Sequence, residues 1–231
     1  MDDPSVPREE LAKALKFIRR VNQRLGGQRA LLGHLRVWSR SWPRNRAITL
    51  LDIGTGSADL PVSAVRWART RGFDLRVTAI DVHDTTLELA REYLRGNPGE
   101  AGNIELVKAN ALELMSRYEP GSFDYVHAGM FLHHLSGLET LTMLRIMDRL
   151  ARAGLIWNDL VRSRVALAAA KVLTAISTPM IRHDATASVR AGFIRSEVLD
   201  IARRLELGHL KYRQSVLAQR FTLAGERKGA W

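Results

Sequence analysis

Two periodicities divide the chain. Over residues 8–25, Leu11, Leu15, Ile18, Val21 and Leu25 recur at steps of three and four, the spacing of one helical face. Ser5 and Pro7 mark its start and Gly26-Gly27 its end. Ala30, Leu31, Leu32, Leu35 and Trp38 predict a second, shorter helix over 29–38, and Trp42-Pro43-Arg44-Asn45 links it onward. From residue 47 short apolar runs alternate with helical spacings. Strands are expected at 47–53, 75–80, 104–108, 123–128 and 154–158, and helices at 59–71, 85–95, near 112–117 and at 137–151. Repeated strand–helix units imply a parallel sheet with helices on both faces. After Asp159 the alternation stops. An apolar helix over about 163–177 is followed by a polar loop at 179–188, and Ser196 reads as the N-cap of a further helix. The segments 211–216 and 219–224 have period-two character, which suits an antiparallel finish to the sheet.

The sharpest feature is the end of the first strand. Ile48, Leu50, Leu51 and Ile53 form a buried run that leads into Asp52-Ile53-Gly54-Thr55-Gly56-Ser57-Ala58-Asp59 and a helix. Glycines there let a ligand approach the backbone, and the free N–H groups of the helix start need an acceptor. A phosphate-cradling Walker loop needs a lysine after its last glycine, and the next basic residue is Arg66. A dinucleotide fingerprint needs a third glycine where Asp59 stands. Asp52 and Asp59 would repel a pyrophosphate and favour a cationic ligand. With Asp81 ending the next strand as an acceptor for a ribose diol, the pattern points to a nucleoside whose other end is positive. S-adenosylmethionine, with its sulfonium and ammonium groups, meets that description.

Composition narrows the rest. At 231 residues, 46% hydrophobic and 26% charged, the chain has enough material for one α/β domain with a small appendage. The absence of cysteine excludes a disulfide framework and a thiolate metal site, and fits a reducing cytoplasm. The acidic start Met1-Asp2-Asp3-Pro4 is not read as a signal peptide. The net charge of +11 comes from dispersed arginines without a basic block, and the sparse aromatics do not interleave with them as a stacking platform would. No nucleic-acid partner is expected. The longest apolar region, 165–181, is interrupted by Lys171 and Pro179, so no transmembrane span is expected, and peripheral contact with a membrane stays open.

Leu51-Asp52-Ile53-Gly54-Thr55-Gly56-Ser57 resembles motif I of the class I S-adenosylmethionine-dependent methyltransferases. Ala79-Ile80-Asp81 resembles their second-strand acid, Ala109-Asn110-Ala111-Leu112 the segment at the adenine edge, Ser122-Phe123-Asp124-Tyr125-Val126 the fourth strand, and Phe131-Leu132-His133-His134-Leu135 the stretch after it. The five segments come in order over residues 47–158. Two positions depart: Ala58 replaces a frequent third glycine and Asn110 an acid. Trp157-Asn158-Asp159-Leu160, Ile181-Arg182-His183-Asp184 and Ser188-Val189-Arg190 are similar to bacterial methyltransferases linked to polyketide or aromatic lipid-like substrates. The resemblance implies a Rossmann-like, mostly parallel sheet of about seven strands. Residues 1–45 would form a helical lid on a methyltransferase domain at 46–231, with 160–195 as a substrate cap.

It also implies S-adenosyl-L-methionine as cofactor, held by Asp52, Gly54, Thr55, Gly56, Asp81, Val82, Asn110, Ala111 and Gly129, with Met130 on the pocket floor. Methyl transfer to a hydroxyl needs orientation, exclusion of water and a base. His133, His183 and Asp159 are the catalytic candidates, and His127 is the weakest histidine. His134, Asn158, Arg182 and Arg190 are candidates for the acceptor. No metal is needed. The expected activity is methylation of an aromatic or polyketide-like hydroxyl by a cytoplasmic monomer or homodimer. Carbon methylation of a quinone or lipid-like ring is the alternative. An RNA methyltransferase or a non-catalytic cofactor-binding protein ranks below both.

Overall fold

The computed structural model describes residues 6–231, so Ser5 and the acidic start lie outside the described residues. The strands are β1 (Ile48–Ile53), β2 (Leu75–Asp81), β3 (Ile104–Lys108), β4 (Phe123–Gly129), β5 (Ala151–Leu160), β6 (Lys211–Ser215) and β7 (Arg220–Glu226). They form one seven-stranded sheet in the order β3-β2-β1-β4-β5-β7-β6. β1 to β5 pair in parallel, and β7 runs antiparallel between β5 and β6. The helices are α1 (Arg8–Arg24), α2 (Gly27–Trp38), α3 (Asp59–Arg69), α4 (Asp84–Arg95), the single turn α5 (Pro98–Ala101), α6 (Gly137–Leu150), α7 (Arg164–Leu173), α8 (Pro179–Ala191) and α9 (Arg195–Arg204). No helix among the described residues is long and apolar enough to cross a membrane.

Helices cover both faces of the sheet, which explains why β1 reads as a continuous apolar run. Ile48 and Leu50 join one buried cluster with Leu31, Leu35 and Trp38 of α2. Leu51 and Ile53 join the other, with Met143, Leu144 and Met147 of α6. A shift of register at Phe123/Tyr125 puts these two residues of β4 in opposite clusters, although their spacing would place them on one face. Complete burial of each Leu or Ile contributes about 1.5–3 kcal/mol, so both faces are strongly specified.

Several local expectations are corrected. The stretch expected as a polar loop at 179–188 is the helix α8. Thr178 caps it, its hydroxyl accepting from the Ile181 N–H at 3.4 Å, and Pro179 occupies the first turn. Its polarity hid a helical stripe that includes Ile181 and Val189, both buried. Ser196 is not a cap either: α9 begins at Arg195, and the Glu197 carboxylate closes its start by accepting from the Ile194 N–H at 3.0 Å. The single turn α5 opens at Pro98, between α4 and β3. The strand expected at 154–158 extends over Ala151–Leu160.

The carboxyl ends of β1, β2, β4 and β5 share one edge of the sheet. Between β1 and β4 the strand order reverses, which opens the crevice where α/β sheets hold ligands.

Candidate active site

At that crevice lies a cavity of about 550 Å³. Asp52, Gly54, Thr55, Gly56, Asp81, Val82, Asn110, Ala111 and Gly129 all line it, so the structure brings together the whole expected cofactor set. The turn after β1 is built for backbone approach. Gly54 and Gly56 have φ of +66° and +55°. A Cβ on Gly54 would stand 2.6 Å from the Phe131 ring. The Thr55 N–H donates to the Ile80 carbonyl (2.9 Å), which ties the turn to β2. Ala58, at the position of the missing third glycine, also adopts a left-handed conformation, with φ +57°. The backbone therefore keeps the form a glycine would take, at a cost of about 1–2 kcal/mol.

Asp81 accepts from the Gly56 N–H at 3.1 Å and from the His83 N–H at 3.2 Å, one bond on each oxygen. The Val82 N–H also favours the carboxylate, which keeps acceptor capacity for a ligand hydroxyl. Burial raises its pKa above the usual carboxylate range against these bonds. The Thr55 hydroxyl is buried with no partner. Asn110 behaves differently from a free acceptor. Its Oδ1 accepts from the Leu112 N–H at 3.1 Å and its Nδ2 donates to Glu113 at 2.8 Å, capping the short 3-10 turn at Ala111–Ser116.

The strongest constellation lies at the end of β5. Asp159 and His133 are both buried, and His133 Nδ1 donates to Asp159 Oδ1 at 2.6 Å. Asp159 also accepts from the Leu160 N–H (2.9 Å), the Trp157 indole N–H (3.2 Å) and the His133 N–H (3.3 Å). Burial alone would raise the Asp159 pKa; His133 and the N–H donors outweigh it and hold the carboxyl below its ordinary value. The tautomer with Nδ1–H leaves the lone pair on His133 Nε2, a buried atom with no partner. His133 lines the cavity.

A second buried pair joins His127 Nδ1 to Asp52 Oδ1 at 2.6 Å. His127 lies behind the cavity wall, and Gly129 makes room for it, since a Cβ there would stand 2.8 Å from the imidazole. Asp59 lines the cavity and accepts from Asn22 Nδ2 (3.2 Å) and the Ser57 hydroxyl (3.1 Å); burial raises its pKa.

The cavity is closed by α1 through Leu11, Leu15, Ile18 and Val21, and by α7 and α8 through Ala166, Leu173, Ile181 and Val189. His134 lines it beside His133, with ring centroids 4.2 Å apart. Helical spacing in α8 turns Ile181, Asp184, Ala185, Ser188 and Val189 to the cavity, while Arg182, His183 and Arg190 are exposed and do not line it. Asn158 does not line it either. Adjacent to Asp159 on β5, it faces the opposite side and borders a groove between α2 and β7. Sequence reasoning missed Arg220, Asn22 and the His127–Asp52 pair. A signal for Arg220 existed: an arginine in period two with Thr222 and Ala224 within a segment of strand character.

Comparison with known proteins agrees with this geometry. The profile of a methyltransferase-domain family matches residues 50–154. The ubiquinone/menaquinone biosynthesis C-methyltransferase UbiE of Enterobacter sp. (strain 638) is 34% identical over 109 residues, which is 47% of this chain and 40% of the relative. UbiE of Klebsiella pneumoniae (strain 342) matches to the same extent, 34% over 109 residues. The match to these relatives thus spans less than half of their length. The plantazolicin methyltransferase BamL, crystallised with a triazolic desmethylPZN analog and SAH, superposes with a TM-score of 0.66 at 14% identity, over 96% of this chain and 98% of that one. The magnesium protoporphyrin IX methyltransferase ChlM of Synechocystis PCC 6803, with bound SAH, gives 0.61 at 13% identity, over 92% and 93%. At such identities these two structures speak for the fold. Residues 50–154 thus match a methyltransferase-domain family, and the chain has the Rossmann-like fold of the class I S-adenosylmethionine-dependent methyltransferases.

Proposed function

We propose that this protein transfers a methyl group from S-adenosylmethionine to the hydroxyl oxygen of a small aromatic or polyketide-like acceptor, with His133 as general base and Asp159 orienting it. The observation that carries the reading is the buried His133–Asp159 pair, 2.6 Å apart, in which His133 lines the cavity and its buried Nε2 has no partner. The cofactor supplies an activated methyl on a sulfonium, so the chain need only bind, orient, exclude water and take a proton.

The lining fits that cofactor. Asp81 has lone pairs left for a ribose diol, Gly54 and Gly56 leave their backbone bare, and Asp52, Asp59 and Asp81 make the turn attractive to a net positive ligand. The Ala111 backbone and Val82 would border the base, and Gly129 the amino-acid end. Asn110 contributes less than an acid would, because its amide caps its own turn. On the acceptor side His133 Nε2 would take the hydroxyl proton, and Asp159 would stabilise the resulting imidazolium, as a carboxylate does for a catalytic histidine elsewhere. Residues 6–25 and the α7–α8 segment would act as lid and substrate cap, with His134 and the apolar residues of α7 against the acceptor. Exposed Leu173 and Leu217, both on the cavity lining, suit a lipophilic acceptor. His183, Arg182, Asn158 and Arg190 have no such support, since none of them reaches the cavity.

A second reading, carbon methylation of a quinone or lipid-like ring, is favoured by the likeness to UbiE. There the same base would ionise a ring hydroxyl and so activate the adjacent carbon. The test is incubation with labelled cofactor and a panel of phenols and hydroquinones, followed by mass spectrometry of the product. A methyl on oxygen supports the first reading and on carbon the second. Label appearing only on protein or RNA would refute both.

A further inference from the structure

Arg220 is unused by the chemistry above, yet it is a buried charge without a charged hydrogen-bond partner. It opens β7, is only 3% exposed, and borders both the main cavity and the groove beside α2. Its Nη2 donates to the Asn22 amide oxygen at 3.3 Å and approaches the Met130 sulfur at 2.7 Å. Neither partner carries a charge. Its Nη1 is buried with no hydrogen-bond partner. Asp59 and Asp159 act on it through space, but both are bonded elsewhere, Asp59 to Asn22 and Ser57 and Asp159 to His133, Trp157 and Leu160. Burial accordingly lowers the guanidinium pKa to about 10. A buried cation without a bonded anion is costly, and a ligand cavity is where such a cost is offset by the ligand.

The surroundings choose the anion. Asp52, Asp59, Asp81 and Asp159 stand in or behind the same wall, and a doubly charged phosphate would meet their combined repulsion. A planar, singly charged carboxylate matches the guanidinium fork and adds the least negative charge. We infer that Arg220 is the carboxylate-binding residue of this cavity. The carboxylate has two sources, the amino-acid end of the cofactor or an acid group on the acceptor, which would then be a hydroxyaryl acid. The inference rests on reading the cavity as a methyl-transfer site.

Calorimetric titration of the full chain separates the sources without requiring turnover. The probes are S-adenosylhomocysteine against 5′-methylthioadenosine, which lacks the amino-acid end, and salicylate against phenol. The wild type should bind the acid of one pair at least about 30-fold more tightly than its neutral partner, and the pair concerned identifies the source. Arg220→Met should lose most of that preference, and Arg220→Lys should keep part of it. Both variants should melt within a few degrees of the wild type when free of ligand. A wild type that prefers neither acid overturns the inference, as does an Arg220→Met or Arg220→Lys chain that melts far lower while binding the acids unchanged. If neither adenosyl compound binds the wild type, the methyl-transfer reading falls. If both bind and the variants bind the acids like the wild type, only the role of Arg220 falls.

Discussion

Replacing Asp159 by asparagine tests the base directly. Each Asp159 oxygen accepts two N–H groups: Oδ1 from His133 Nδ1 and Leu160, Oδ2 from the His133 backbone and Trp157. Asparagine has one oxygen, so its amide nitrogen faces two of those donors in either orientation. Turned toward Trp157, it strands the indole and the His133 N–H. Turned toward His133, it strands Leu160 N–H and forces the imidazole to accept at Nδ1, which moves the ring proton to Nε2 and removes the base. Each stranded buried donor costs about 1–3 kcal/mol; the orientation toward His133 strands one donor against two and is favoured, so Asp159→Asn should lose roughly 1–3 kcal/mol of stability. General base catalysis contributes about 10²–10⁴-fold, and kcat for a phenolic acceptor should fall within that range. S-adenosylhomocysteine should bind the variant as it binds the wild type, because Asp159 does not line the cavity. The defect should shrink for a nitrophenol already ionised at the assay pH, which needs no base. The assay is kcat and KM for both acceptors, with a melting curve as control. A folded variant whose kcat stays within threefold of the wild type for the un-ionised phenol would refute the assignment.

Three further expectations follow from the geometry. Asp81→Ala, which removes the acceptor left for a ribose diol, should weaken S-adenosylhomocysteine binding at least about 10-fold by calorimetry while leaving the fold intact; unchanged affinity would remove Asp81 from the cofactor site. Ala58→Gly should fall within about 0.5 kcal/mol of the wild type, because relief of the left-handed backbone offsets the lost methyl, whereas Ala64→Gly, buried inside α3, should cost about 2 kcal/mol in denaturant unfolding. Burial opposes ionisation of Asp124, but bonds from Arg46 (2.9 Å), the Thr49 N–H (3.0 Å) and Arg152 (2.8 Å) win and hold its pKa below the usual carboxylate value. Its contribution is therefore complete above its unfolded pKa of about 4 and is lost as pH falls through the lower folded value, so Asp124→Asn should flatten the acid side of a stability–pH curve and an unaltered acid side would contradict this.

The chain's own pattern determined much of the molecule. The alternation from residue 47, the buried run before Gly54 and the acids ending β1 and β2 are local features. Local features survive translation into structure because strand, turn and helix start each have their own spacing and residue chemistry. The residues expected at the cofactor all line one cavity because they sit at or just after the carboxyl ends of adjacent parallel strands, a placement the strand order dictates.

The acceptor side was not legible in the same way. His183 and Asp184 look like a base and its carboxylate in a loop. In a helix, neighbours are about 100° apart, so Asp184 turns inward and His183 outward. Asn158 and Asp159 look equivalent at a strand end, yet the pleat sends them to opposite faces. His133 finds Asp159 across 26 positions of sequence, and Arg220 finds Asn22 across 198. Such partners are chosen by packing between elements, which no local spacing encodes. The sequence by itself determined which ligand the glycine turn favours. Only the tertiary structure decided which cavity-lining histidine has a buried carboxylate bonded behind it and which arginine is buried without a charged hydrogen-bond partner.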